Sequence, residues 1–123
     1  MTKTLIAIFL GGGTGSVLRY VIQQLINENL TTNFPWGTFT VNVLGSFLIG
    51  LFYALSARLG LSAEIRLLLT TGLCGGFTTF STFSNDGVLL LKQGHSGTFI
   101  LYTLASVIIG IIMVWVGAMT GKE

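Results

Sequence analysis

Charge is what this sequence has least of. Only ten of its 123 residues are formally charged, six Lys or Arg and four Asp or Glu, which is 8% of the chain. A soluble domain carries about 25%. The charges also leave long gaps, since residues 29–57, 67–85 and 93–121 contain none. A helix that crosses a bilayer needs roughly 20 mostly apolar residues, and each gap provides that length. The scarcity excludes an ordinary soluble domain and defines an integral membrane protein of one small domain. The formal net charge of +2 is too small to indicate a nucleic-acid partner.

Other residue types are nearly missing as well. The single cysteine, Cys74, cannot form an intramolecular disulfide and reads as a small buried hydrophobe. The single histidine, His95, lies in a predicted loop with no nucleophile or metal partner nearby, which argues against enzyme chemistry. Carboxylates are absent from the predicted bilayer centre. Glu28, Glu64 and Glu123 fall at span ends or in loops, and Asp86 lies about 15 Å along a helix from Gly76. Cation pumps and proton-coupled drug exporters place an acidic residue at depth; the deep groups here are donors, namely hydroxyls, the Asn42 amide and Arg19. Donors suit an anion. Arg19 lies inside the first span, where a charge costs several kcal/mol unless it is hydrated or paired.

What is present is an all-α pattern of four spans, at about 4–24, 36–57, 65–91 and 97–119. Lys3, the apolar run Leu5–Leu10 and the small residues Gly11–Ser16 could imitate a signal peptide. Hydrophobicity resumes at Val17 and Leu18, so a retained first helix is the expectation. In "NENLTTNFPWG", Thr31, Thr32 and Asn33 offer caps ahead of Pro35, a residue suited to a first helical turn. Trp36 and Trp115 sit at or near span ends, as in an aromatic belt. Lys3, Arg58, Arg66 and Lys122 share one side of the membrane, with Lys92 and Arg19 toward the other. Four against two is a weak positive-inside bias, which leaves an antiparallel, dual-topology dimer open.

Small residues recur at helix-packing spacing: Gly11 and Gly15, Ser46 and Gly50, Gly72 and Gly76, Ser106 and Gly110. Such pairs let helix backbones approach closely. "GGGTGS" superficially resembles a phosphate-binding loop, but no strand precedes it and no Lys follows, so close packing is the reading.

The third span contains "GGFTTFSTFSN", residues 75–85. Gly75 and Gly76 weaken a helix near the predicted midplane, and a break there frees carbonyls and amides that can hold ions. The glycines alone leave tight packing equally open. At 100° per residue the hydroxyls of Thr78, Thr79, Ser81, Thr82 and Ser84 and the Asn85 amide cover most of the helix, leaving no face suited to lipid. The segment is therefore expected inside an assembly that one 13 kDa bundle could hardly enclose. Thr38, Asn42 and Ser46 form a polar stripe on the second span, and Tyr102, Ser106 and Gly110 one on the fourth. A hydroxyl bonded to its own helix carbonyl is the common alternative for each; three such stripes favour a polar pathway. Phe80 and Phe83 could turn positive ring edges toward an anion, although packing is the commoner role of phenylalanine.

Together with "GTFTVNVLGSFLIG" (37–50) and "GGTGSVLRY" (12–20), this stretch resembles the Fluc fluoride-channel family, also called CrcB, across all four spans. The resemblance implies a passive, fluoride-selective channel in the prokaryotic cytoplasmic membrane, multi-pass, built as an antiparallel homodimer with two pores. It implies a structural sodium ion at the dimer centre, held by the backbone carbonyls of Gly75 and Thr78, and no organic cofactor. Phe80 and Phe83 would contact fluoride, and Asn42 matches the pore asparagine. Tyr102, Ser106, Thr38, Ser81 and Thr82 match polar-track positions. Gly110 stands where some members have a further hydroxyl, which implies a shorter track. Arg19 matches an arginine of the aqueous vestibule. The competing readings are a small dual-topology drug exporter, which needs an embedded glutamate absent from the first span, and a non-transporting scaffold, which leaves the polar stripes unexplained.

Overall fold

The structure is a computed structural model that describes residues 1–122; Glu123 lies outside the described residues. Helices dominate, and no strand occurs among the described residues. Helix α1 (Thr2–Asn29) is followed by α2 (Trp36–Leu59), which stops at Gly60 in the left-handed conformation, φ 64° and ψ 40°, a backbone state that glycine adopts without steric cost. A short α3 (Ala63–Leu67) is capped by the Ser62 hydroxyl, which accepts from the Ile65 N–H at 3.3 Å. The chain then runs as a π-helical segment (Leu68–Cys74) into α4 (Gly75–Phe77), leaves the helix at Thr78 and Thr79, and resumes as α5 (Phe80–Lys92). Helix α6 (Ser96–Gly121) completes the chain.

Helices α1, α2 and α6 are long and apolar enough to cross a membrane. The segment expected as the third span is instead an interrupted helical stack from α3 to α5. Helices α1 and α6 run past both expected ends, α1 by five residues to Asn29, while α2 begins at Trp36 as expected and ends two residues later. At 1.5 Å per residue the 28 residues of α1 exceed a hydrocarbon core of about 30 Å.

Two sequence expectations change here. The glycine pair is not the break, because Gly75 and Gly76 are helical and the chain opens at Thr78 (φ −93°, ψ 159°) and Thr79 (φ −149°, ψ 123°). Nor does a hydroxyl or amide cap α2. Its cap is Pro35, which has no side-chain cap bond, while the Thr32 hydroxyl donates to the Phe34 carbonyl instead.

The glycines act in packing. A Cβ on Gly11 would run into the Leu68 carbonyl, one on Gly15 into the Leu73 carbonyl, and one on Gly76 into the Gly12 carbonyl. Of the four expected pairs, Gly11/Gly15 and Gly72/Gly76 therefore meet each other, with α1 lying against the π-helical segment and α4 at backbone-to-backbone distance. Helices α2 and α6 do the same through Gly50 against Val114 and Gly117 against Phe47. The buried apolar core is small: Val41, Cys74, Phe77, Leu90 and Tyr102. Large apolar side chains instead face outward, among them Phe9, Ile111 and Trp115. An apolar exterior this extensive fits a lipid or subunit environment rather than water.

Candidate ion-conduction site

The site grows from the break. With Thr79 extended, its N–H and C=O lose their helical partners, and in a membrane both must be bonded. The Asn42 side chain takes both. Its Oδ1 accepts from the Thr79 N–H at 2.8 Å, and its Nδ2 donates to the Thr79 carbonyl at 3.1 Å. The Thr79 hydroxyl then accepts from the Thr82 N–H at 3.1 Å, capping α5. Asn42 keeps one amide hydrogen free of Thr79.

The two halves present opposite polarity. Among the hydrogen bonds of the described residues, the Gly75 and Thr78 carbonyls accept none. Between them in sequence, the Gly76 carbonyl accepts from Arg19 Nε at 3.0 Å. On the other half, the first N–H groups of α5 form the positive end of a helix. Carbonyl oxygens at the end of α4 suit a hard cation; amides and hydroxyls at the start of α5 suit an anion.

A cavity of about 330 Å³ opens at this point, lined by Asn42, Gly75, Thr78, Phe80, Phe83 and Ser106 among others. The Ser106 hydroxyl is buried with no hydrogen-bond partner, so a donor stands ready there. Phe80 is 80% exposed, with its ring centroid 5.9 Å from that of Phe83. A second cavity, about 430 Å³ and mainly polar, takes in Thr38, Thr82, Gln23, Asn27 and Asp86. Phe83 and Tyr102 link the two. Their rings are 5.0 Å apart, and the fully buried Tyr102 donates its hydroxyl to Asp86 Oδ2 at 3.3 Å.

The expected residues thus fall into groups. Asn42, Gly75, Thr78, Phe80, Phe83 and Ser106 meet at the first cavity, and Thr38 and Thr82 at the second. Thr38 accepts from Gln23 Nε2 at 3.2 Å. Ser81 lines neither cavity, and its hydroxyl faces that of Thr79 at 3.4 Å. Ser46 bonds the Asn42 carbonyl of its own helix at 2.7 Å, the common alternative for a mid-helix hydroxyl. Sequence reasoning counted Thr79 only among the hydroxyls around the third span and gave no site role to Asp86 or Gln23. Thr79 had a readable signal, since a threonine followed by a polar first helical turn matches an N-cap. Asp86 had none, because only the fold brings it to Tyr102.

Fold and site together define a multi-pass helical membrane protein with a broken crossing and donor-lined cavities at the break. Residues 6–118 match the family described as CrcB-like protein, Camphor Resistance (CrcB). The chain is 58% identical over 115 residues to a protein of Phocaeicola vulgatus named fluoride-specific ion channel FluC, covering 94% of this chain and 95% of the relative. Proteins of the same name from Bacteroides fragilis and Thermus thermophilus are 52% and 45% identical, over 98% and 93% of this chain and 98% and 91% of the relatives. This chain belongs to the CrcB family.

Proposed function

We propose that this chain is a passive fluoride-selective channel of a prokaryotic cytoplasmic membrane that lowers fluoride toxicity. Each chain is a single transmembrane channel subunit over residues 1–123, and two associate as an antiparallel, dual-topology homodimer with two pores. The observation that carries the reading is the break itself: two aromatic rings, a free amide hydrogen and a buried hydroxyl without a partner share one cavity beside a helix N-terminus. Fluoride as the ion is supported by the names of the relatives.

Fluoride is small and strongly hydrated, so a pore must replace its water with donors at comparable distances. Asn42 and Ser106 supply donors at the break, with Thr82 and Thr38 further along, the Tyr102 hydroxyl held on Asp86 between them, and Ser81 on the outer face of α5. The edges of Phe80 and Phe83 carry partial positive charge, which holds an anion without the tight ion pair that would trap it. Arg19 adds a positive vestibule at the carbonyl end of α4. No bond is made or broken, so the protein is a channel and not an enzyme.

The dimer is supported by what one chain leaves uncovered. Phe80, Ser81, Ser84 and Asn85 are all exposed, and a face mixing a ring with hydroxyls and an amide suits neither lipid nor water. The weak positive-inside bias agrees with insertion both ways. The unbonded Gly75 and Thr78 carbonyls fit a sodium ion, since neutral oxygen donors suit hard cations. Such an ion would supply fixed positive charge at the dimer centre.

The test is efflux from proteoliposomes read with a fluoride electrode, with chloride efflux alongside. Fast fluoride release without chloride release is expected. Phe80→Ile or Phe83→Ile should cut fluoride flux while dimers still assemble. Undiminished flux in both variants would remove the rings from the mechanism, and no release from verified dimers would remove the channel.

A further inference from the structure

We infer that Phe34, in the connection between α1 and α2, is a positioning residue for the anion route: its ring clamps Tyr102 against Phe83 and keeps the Tyr102 hydroxyl on Asp86. The inference rests on the channel reading above.

The local sequence "NFPW" sets the geometry. Pro35 has φ −77° and ψ 74°, and the Trp36 N–H donates to the Phe34 carbonyl at 2.8 Å. That is an inverse γ-turn, for which proline has its φ preset. The Phe34 carbonyl also accepts from the Thr32 hydroxyl at 3.3 Å. Doubly held, the backbone gives the Phe34 side chain little freedom to leave its place.

That place is a ring cluster. The Phe34 centroid is 4.5 Å from Trp36 and 5.4 Å from both Phe39 and Tyr102, and it meets Tyr102 edge-on at 82°. Tyr102 lies 5.0 Å from Phe83 in turn, and Phe83 lies 5.9 Å from Phe80. Four rings therefore run in contact from an interfacial loop to the break. Tyr102 is completely buried, so its orientation depends on these neighbours and not on solvent. Its bond to Asp86, at 3.3 Å, is long for an O–H···O bond and tolerates little rotation. Phe34 also borders the polar cavity that contains Asp86, Thr38 and Thr82. Removing its ring opens space beside Tyr102.

The experiment is a double-mutant cycle on fluoride release from proteoliposomes, using dimers isolated by size exclusion. Phe34→Ala is expected to slow release about three- to tenfold, the scale of one lost aromatic pair, and Phe34→Tyr to restore it. In a Tyr102→Phe background, Phe34→Ala should add little, because the hydroxyl it positions is already gone. Parent-level release from Phe34→Ala, or losses that multiply in the double variant, would overturn the assignment. If Phe34→Ala does not assemble, Phe34→Leu, which keeps apolar volume without a ring edge, is read by the same criteria. A parent chain that releases no fluoride removes the channel reading and this inference with it.

Discussion

The Asn42 amide meets Thr79 with both of its polar ends, at 2.8 and 3.1 Å, and this is why a helix can open in the middle of a membrane protein at small cost. The side chain imitates the backbone partner that an adjacent strand would supply. No other amide or hydroxyl of α2 could do this, because serine and threonine lack a separate donor and acceptor at that spacing. Asn42→Ala leaves a donor and an acceptor unmet, each with a penalty of about 1–3 kcal/mol when buried and less here because the site is only half-buried. Lower thermal stability in detergent together with reduced fluoride release is therefore expected. An unchanged melting temperature would mean that Thr79 finds another partner. Phe80 presents the reverse case: its ring supports little within one chain, so its loss should affect transport far more than folding.

Among the elements, the interrupted crossing depends on two kinds of backbone irregularity. The π-helical segment closes its hydrogen bonds from i to i+5 rather than i to i+4, and such segments often occur near functional sites. It leads into α4 with Gly76 against the Gly12 backbone while Gly75 borders the cavity. The glycines of the chain are consequently not equivalent. Gly76→Ala and Gly117→Ala would drive a methyl group into a carbonyl of the neighbouring helix. Gly110→Ala would meet only the Ser46 hydroxyl, at an ordinary 3.6 Å. Size exclusion of the purified variants is expected to show assembly lost or reduced in the first two and retained in Gly110→Ala. Normal assembly of Gly76→Ala would show that α1 and α4 can separate without consequence. Gly110→Ser is expected to be tolerated too, and it would lengthen the donor stripe of α6.

For the whole molecule, an outward-facing apolar surface and a small buried core mean that most of the folding free energy depends on the surroundings. In the proposed dimer, bilayer and second subunit would replace the interior that a soluble chain of this size builds for itself. The dual-topology proposal belongs at this scale, because it depends on a balance of charges spread over both sides: Lys3, Arg58, Arg66 and Lys122 against Lys92 and Arg19. Reporters fused at the C-terminus should give signal from both sides of the membrane. Signal from one side alone would sink the antiparallel dimer. Adding two lysines to the loop between α5 and α6 removes the bias, while adding them at the C-terminus strengthens it.

The three long apolar helices and the close-packing pairs Gly11/Gly15 and Gly72/Gly76 were readable from residue order, because hydrophobic length and small-residue spacing act locally along a helix. So were the polar stripes on α2 and α6, and the idea that something unusual happens after Gly75. The position of the break was not. Glycine weakens a helix wherever it stands, but the chain opens at Thr78 and Thr79, where Asn42 on another helix can satisfy the freed groups. Asp86 and Phe34 were invisible for the same reason. A carboxylate takes its meaning from the hydroxyl that reaches it, and a loop phenylalanine from the ring it packs on, and both partners lie on α6, more than a dozen residues away in sequence. Local order decides which groups a segment offers; only the tertiary fold decides which of them find a partner and which are left free to meet an ion.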